Sequence, residues 1–568
     1  MGSRAVTTSA GTVYHADQTR DYPHVDLLTL LFDHQFPNTK WTSHEDTVLH
    51  ASAEDPAQHL TKAEARKHTK RTAHALRHHF GIGANGPGQD VVTVISTGHF
   101  MVPLMLYGVI AAEGIFSAVS AASTEIELSR LLLSAGCSLL VCNEATKDIA
   151  VEAAAAAGLS KDRVVVMSER GDWSLRRVHE PNDELLSSEA LQWRKITDRK
   201  ELEESLVVLI YSSGTTGLPK SVCISHENFV SECCLTQDPM MREQKAITNP
   251  DFEYRTLAHL PIAHIAGIQG YLINPFYLGG ITYWMPRFEW PKFLEYNKKY
   301  RITFFFTVPP IYLLIAKSPE VTDQFDALEQ AVSGAAPLGK ELQHAASSKL
   351  GRGKTFISQT WGLSESTGSA TALPGGLQDD TGSVSALVAN VTARIVDDDG
   401  NDASVGKSGE ILLRGPIISK GYYRNPSANA DAYRDGWYYT GDIGYFDGSN
   451  GFFYIIDRKK ELIKYKGLQV APAELEALLL NHELIVDAAV IGVPIENGYN
   501  EAPRAYVVAN PQKISVEEIK RYVARNAASH KQLRGGVVFL EAIPKSPSGK
   551  ILRKDLRELA KRERGPKL

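Results

Sequence analysis

Cysteine is scarce: Cys137, Cys142, Cys223, Cys233 and Cys234 are the whole supply in a chain of 568 residues. None forms Cys-x-x-Cys, and an odd count argues against a disulfide framework, so a reducing compartment is expected. Charge of one sign is lacking too. A net charge of −5 gives no electrostatic reason to expect nucleic acid as a partner. Residues 1–20 are polar, with no apolar core of signal length. The most membrane-like stretch, Phe100 to Ala122, contains Glu113 and is interrupted by Pro103, Gly108 and Gly114. It reads as a buried helix plus strand and not as a span. Internal repeats and low-complexity arrays are also missing. What remains is an ordinary globular composition, 43% hydrophobic and 22% charged. The chain is long enough for about four domain-sized units, each with its own core.

Residues 1–60 read as an irregular, His-rich arm over the first domain. From 61 to 200, helix and strand signals alternate: Ala63 to His79 and Ile126 to Leu133 as helices, Val91 to Ile95, Leu139 to Cys142 and Val164 to Met167 as strands. Ala150 to Ala157 reads as an alanine-rich helix stopped by Gly158. This alternation predicts an α/β unit with a mainly parallel sheet. A second such unit is expected over about 206–370, with strands Leu206–Ile210, Ile302–Thr307 and Gln330–Ser333. From Arg394 to Asp435, short strands and Gly- and Asp-rich turns suggest a small β-rich unit. After Asp457 a mixed α+β segment runs to the charged helix Arg553 to Arg564. The fold class is therefore α/β: a large domain of two α/β subdomains plus a β-rich subdomain, followed by a small α+β domain.

The strongest chemical signal is Tyr211-Ser212-Ser213-Gly214-Thr215-Thr216-Gly217-Leu218-Pro219-Lys220. A predicted strand empties into hydroxyls, glycines and a lysine. Glycines let the backbone approach phosphate oxygens, hydroxyls donate hydrogen bonds, and Lys220 supplies charge. The Walker A spacing is absent, so this is a polyanion loop of another kind.

The loop resembles the phosphate loop of the adenylate-forming enzymes, the superfamily of acyl-CoA synthetases, luciferases and peptide-synthetase adenylation domains. Ser221 departs from it, standing where that family usually has glycine. Further segments match in the expected order. Ser333-Gly334-Ala335-Ala336-Pro337 resembles the segment lining the nucleotide and acyl pockets. Gln359-Thr360-Trp361-Gly362-Leu363-Ser364-Glu365 resembles the adenine and metal segment. There the resemblance gives Trp361 an aromatic face near adenine, Ser364 the α-phosphate and Glu365 the Mg²⁺, an ion that favours carboxylate and phosphate oxygens. Thr360 and Trp361 depart from the commoner residues. Thr440-Gly441-Asp442 resembles the ribose motif, whose carboxylate accepts from hydroxyls. In Asp457-Arg458-Lys459-Lys460-Glu461-Leu462-Ile463-Lys464-Tyr465-Lys466-Gly467, the resemblance makes Asp457 a hinge between domains 1–456 and 457–568. It places Arg458 at the ribose, Lys464 and Gln469 toward the nucleotide, and Lys466 and Gly467 beside the CoA pantetheine. Lys550, in Ser548-Gly549-Lys550, resembles the catalytic lysine of adenylation. In Pro261-Ile262-Ala263-His264-Ile265-Ala266-Gly267, His264 matches a histidine near the acyl carboxylate. Ala266 and Gly270, with Gly334 and Gly362, are the expected acyl-pocket residues.

The resemblance covers roughly residues 40–560 and is closest to the 4-coumarate-CoA ligase-like group, including fungal aryl- and acyl-CoA ligases. It implies a small-molecule carboxylic acid, ATP, Mg²⁺ and coenzyme A as reactants, with no nucleic acid and no membrane span. The small residues at 266 and 270 point to an aromatic, arylalkanoic or medium-chain acid. Two alternatives belong beside this reading: adenylation with a non-CoA acceptor, and a non-catalytic adenylate-binding protein. Pro566-Lys567-Leu568 resembles the peroxisomal Ser-Lys-Leu address with a changed first residue, which leaves peroxisomal and cytoplasmic locations as the expectations.

Overall fold

Capping residues start the helices that cover the first sheet. Thr61 and Glu64 form a capping box that launches Lys62–Phe80, and Gly81, at φ 70°, ends it. Thr124 and Glu127 do the same for Glu125–Ala135. These satisfy end N–H groups that the helix leaves unpaired. The computed structural model describes residues 2–8, 11–35, 41–212, 219–466, 468–495, 500–546 and 549–563. Ser213 to Gly217 of the phosphate-loop reading, Gly467, and Pro566-Lys567-Leu568 lie outside the described residues.

The first sheet has eight strands. Its centre is parallel: Val164–Met167, Cys137–Cys142, Val91–Ser96, Ile115–Ser120 and Val208–Ser212 lie side by side in that order. These strands are apolar runs because helices or loops cover both faces. Phe100 to Ala122 resolves into the buried helix Val102–Ala111 and the strand Ile115–Ser120. Among the described residues no helix is long and apolar enough to cross a membrane.

Two expectations need correction. The strand before the phosphate loop does not open the second α/β unit: Val208 and Leu209 pair with Phe116 and Ser117 of the first sheet. The second unit instead takes Val48–Ser52 from near the N-terminus, which pairs with Ile281–Trp284. Phe304–Thr307, Gln330–Ser333 and Ile357–Gln359 add a separate three-stranded parallel sheet to that unit. Nor does the N-terminal arm lie irregularly over the first domain. Arg4–Thr8 and Gly11–His15 form a hairpin joined through Tyr14 to Ala393 of the β-rich unit. That unit is a seven-stranded sheet with Thr392–Val396, Gly409–Arg414, Trp437–Asp447 and Phe452–Arg458. Tyr14 is fully buried in its core, against Phe446 and Phe453. Both errors share a cause: pairing between distant strands is set by packing, which local pattern does not encode.

Beyond residue 463 the core is separate. Ile463, Val470, Leu475, Leu479, Val490 and Val507 close one cluster, while Ile491, Val493, Tyr506 and Leu556 close another. The polar contacts of this unit with the rest include Lys317 Nζ donating to the Ile485 carbonyl (2.6 Å) and Asn481 Nδ2 to Glu341 (3.2 Å). Asp457, at the end of the strand Phe452–Arg458, is buried and accepts from the N–H groups of Arg458 (2.7 Å) and Ala473 (3.0 Å). The second bond caps the helix Pro472–Leu480 from outside.

Candidate active site

Where these units meet there is a cavity of about 1290 Å³. Its wall is built from the segments singled out in the sequence. Ser212 and Lys220 reach it from the ends of paired strands. Gly334, Ala335, Gln359, Thr360, Gly362, Ser364 and Glu365 reach it from the ends of parallel strands and the turn that follows. His264, Ala266 and Gly270 line it as well. Arg458, Lys464 and Lys550 close it from the C-terminal side.

Backbone geometry explains two residue types. Ala335 adopts φ 71°, a left-handed turn that swings the chain away from the strand end Ser333. A Cβ on Gly362 would lie 1.8 Å from the Gly368 carbonyl oxygen, across a paired strand, so only glycine fits there. The Gln359 amide oxygen accepts from the Leu338 N–H (3.0 Å), while its Nε2 has no protein partner among the described residues. A buried donor is thereby left at the cavity wall.

The electrostatics favour a polyanion. Lys550 sits within reach of Arg458, Lys460 and Arg553, and Lys460 within reach of Lys220. Among the described residues eight lysines and arginines line the cavity against six carboxylates, Asp17, Glu232, Glu243, Glu365, Glu410 and Asp431. Asp442 is buried, and its two oxygens take Arg458 Nε (2.5 Å) and the Trp361 indole N–H (2.8 Å). Each oxygen keeps a second lone pair for another donor. Glu365, 6% exposed, accepts from the Tyr422 hydroxyl (2.8 Å), and the Tyr422 ring lies under the Lys220 ammonium at 4.7 Å. Among the described residues no group of three or more His, Cys, Asp or Glu could hold a metal ion. Glu365, held through Tyr422 beside the Lys220 ammonium, fits Mg²⁺, which binds one or two protein carboxylates and otherwise phosphate oxygens and water.

Burial, with Arg458 next in size, lowers the Lys550 ammonium to about 8. The turn carrying it is closed by Ser546 N–H to the Lys550 carbonyl (2.8 Å), with Gly549 at φ 79°. It packs against Val308 and Pro310 of the large unit. Burial, and then the charge of Lys550, lowers His264 to about 4, so it is a neutral imidazole near pH 7. A pH prediction follows from Lys550. The free protein loses this ammonium as pH rises through about 8, so kcat/KM for ATP should fall above that pH. A bound polyphosphate supports the charge, so the alkaline limb of kcat should lie higher. The unfolded chain keeps the proton up to about 10.5. From this group, stability should therefore rise with pH between about 8 and 10.5, since the unfolded state binds more protons there. Pyrophosphate-exchange pH profiles and pH-dependent denaturation, with and without Lys550→Ala, check both signs.

Other expected residues lie apart from the cavity wall. Trp361 is 7% exposed and packs in the β-rich core, presenting its N–H to Asp442 and not a ring face to the cavity. Asp442 stands behind Arg458. Ala336 is exposed beside the wall. Gln469 is exposed and pairs with Lys464 across the hairpin Ile463–Tyr465 and Leu468–Val470. Lys466 is exposed at the tip, with φ 49° and its N–H bonded to Asn500. Asp457 lies at the junction and outside the cavity. Tyr422 and Lys460 escaped the sequence reading. Tyr422 reaches Glu365 across 57 residues, and only the pairing of Gly421 to Tyr423 with the strand Lys220–Ile224 brings it there. Lys460 was visible only as one more charge in a basic run.

The family model of the AMP-binding enzymes matches residues 39–423, and that of the AMP-binding enzyme C-terminal domain matches 474–550. An Emericella nidulans protein named "Putative acyl-coenzyme A synthetase" is 47% identical over 97% of this chain and 99% of its own. An Aspergillus niger phenylacetyl-CoA ligase is 34% identical over 96% and 98%. The anthranilate CoA ligase AuaEII, solved with anthranoyl-AMP, superposes with TM-score 0.80 at 20% identity, covering 95% of this chain and 98% of its own.

Proposed function

Because this chain belongs to the AMP-binding enzyme family, and is an AMP-forming acid–CoA ligase using ATP, Mg²⁺ and coenzyme A, we propose that its acid is aromatic, arylalkanoic or medium-chain. The relatives are named acyl-CoA synthetases and ligases, so neither a non-CoA acceptor nor a non-catalytic role is favoured. The observation that carries the site assignment is the convergence of Lys550 with Arg458 and His264 on one cavity.

In the first step an acid carboxylate oxygen attacks the α-phosphorus of ATP. A new P–O bond forms, the α–β bridge breaks, and pyrophosphate leaves with its electron pair. Two anions must meet, so the barrier is largely electrostatic, and fixed cations aimed at the developing charge lower it. Lys550, Lys220 and Lys464 are the cations assigned here, with Arg458 and Asp442 at the ribose. Glu365 would hold Mg²⁺, which neutralises phosphate charge when bound. His264, being neutral, would orient the acid by a hydrogen bond. In the second step the CoA sulfur attacks the acyl carbon, the thiol proton is lost, and AMP leaves. Lys466 and Gly467 are assigned to the pantetheine. Rotation of 457–568 about Asp457 would bring them in turn to the site that Lys550 occupies, a hinge motion.

Incubation with ATP, CoA and a panel of acids, read as AMP and thioester, tests the reaction. Pocket size has its own test. A Cβ at Gly270 would meet nothing within 4 Å, and Ala266 faces the same cavity. Ala266→Tyr should depress kcat/KM for the largest accepted acids first, by about ten-fold or more, while small acids lose less. An equal effect on every acid would remove Ala266 from the pocket.

A further inference from the structure

Tyr422 lines the cavity and touches two charged groups of its wall with two parts of one side chain. Its hydroxyl donates to Glu365 Oε1 at 2.8 Å, and the Lys220 ammonium lies over its ring, 4.7 Å from the centroid. The two groups come from different units. Lys220 opens the strand Lys220–Ile224 at the edge of the first sheet, while Glu365 lies in the helical turn Ser364–Ser366. The segment carrying Tyr422 is tied to both. The Cys223 N–H donates to the Gly421 carbonyl (2.8 Å) and the Tyr423 N–H to the Ser221 carbonyl (2.8 Å), while the Ser419 N–H donates to the Glu365 carbonyl (2.8 Å). Asn429 then grips the Tyr422 backbone at both ends: its Oδ1 accepts from the Tyr422 N–H (2.6 Å), and its Nδ2 donates to the Tyr422 carbonyl (3.0 Å). A Cβ on Gly421, at φ 110°, would lie 2.7 Å from Asn429 Oδ1, so glycine there lets this clamp close. The backbone bonds thus fix where a single phenol stands.

Resting on the acid–CoA ligase reading and its assignment of Mg²⁺ to Glu365, we propose that Tyr422 is a positioning residue for adenylation: its hydroxyl orients the Glu365 carboxylate for the metal, and its ring holds the Lys220 ammonium in place for the polyphosphate. The residue type suits both tasks. A phenol O–H is a neutral donor, so it fixes the rotation of the carboxylate without spending its charge, whereas a lysine or arginine in that place would compete with the metal. The face of the ring attracts an ammonium and carries no formal charge, so Lys220 keeps its own charge for phosphate, whereas a carboxylate partner would neutralise it. Both groups are then ordered before ATP binds, and the ordering is not charged against its binding.

The test reads binding as well as turnover. ATP binding to the full chain is measured by calorimetry, in EDTA and across a titration with magnesium chloride, beside the Mg²⁺ requirement of pyrophosphate exchange. Tyr422→Phe keeps the ring and loses the hydroxyl. It should raise the Mg²⁺ concentration for half-maximal ATP binding about five-fold or more, with metal-free Kd for ATP moved by less than about two-fold. Its kcat at saturating Mg²⁺ should fall by a smaller factor than its Mg²⁺ requirement rises. Tyr422→Leu loses the ring as well, and should also weaken metal-free ATP binding, by about three-fold or more. Because the hydroxyl acts through the carboxylate, Tyr422→Phe added to Glu365→Gln should leave the Mg²⁺ requirement of Glu365→Gln where it was. Should Tyr422→Leu fail to fold, Tyr422→Phe and the double variant carry the test. Loss of melting temperature or kcat with both binding constants unmoved would make Tyr422 a packing residue and overturn the inference, as would additive effects in the double variant. An unchanged Mg²⁺ requirement in Glu365→Gln would overturn the metal assignment and this inference while the ligase reading stands. Absence of AMP and thioester from the wild-type protein with every acid would instead overturn the ligase reading, and with it the role in adenylation.

Discussion

Lys550→Ala should lower acyl-adenylate formation about 10²–10³-fold, the loss expected when one fixed donor is removed from a developing charge. Thioester formation from supplied acyl adenylate should fall by less than about ten-fold, because the phosphoanhydride chemistry is then already complete. The split is decisive, since a merely structural lysine would impair both halves together. The structure gives reason to expect a clean variant. The Lys550 turn is held by backbone bonds to Ser546 and by Lys545 to Asp487 (2.6 Å), none of which uses the Lys550 side chain. Removing a partly desolvated ammonium also relieves repulsion with Arg458. Folding should therefore survive, and pyrophosphate exchange alone should collapse.

Asp442→Ala should weaken both ATP use and the fold. Its carboxylate is 5% exposed as a side chain and neutralises Arg458, while also accepting from Trp361. Deleting one member of a buried ion pair costs about 3–5 kcal/mol. Arg458 is 31% exposed, so water recovers part of that loss, and about 2–3 kcal/mol is expected. Denaturation midpoints measure this term. Asp442→Asn keeps one acceptor oxygen, for either Arg458 or Trp361, and sets an N–H donor against the other, so it should recover only part of the stability while losing the charge. Its KM for ATP should remain raised if Asp442 also meets the nucleotide. Recovery of both properties in Asp442→Asn would confine Asp442 to a structural role.

The hydrophobic pattern was enough to locate most elements. Val91–Ser96, Val164–Met167, Lys62–Phe80 and Arg553–Glu563 lie within a few residues of their expected limits, because burial of both faces or one stripe leaves a local signature. The candidate site was legible as a string of short motifs, since phosphate, metal and ribose each restrict residue type. Strand partnership was not legible. Nothing in Val48–Ser52 names Ile281–Trp284, and nothing in Tyr14 names Ala393.

The amino-acid sequence by itself determined the element types, the order of the chemical motifs and the family, because these rest on local propensity and on residue chemistry at fixed spacing. Only the tertiary structure decided which groups share an electrostatic field. Tyr422 bridges Glu365 and Lys220, Trp361 turns its N–H to Asp442, and Lys550 is held beside Arg458. Glu232, Gln237, Gln269 and Asn274 are likewise scattered along the chain and come together only in the lining of the cavity. The physical reason is that pairing, burial and the resulting shifts of charge depend on distance through space, and a sequence encodes distance only along the chain.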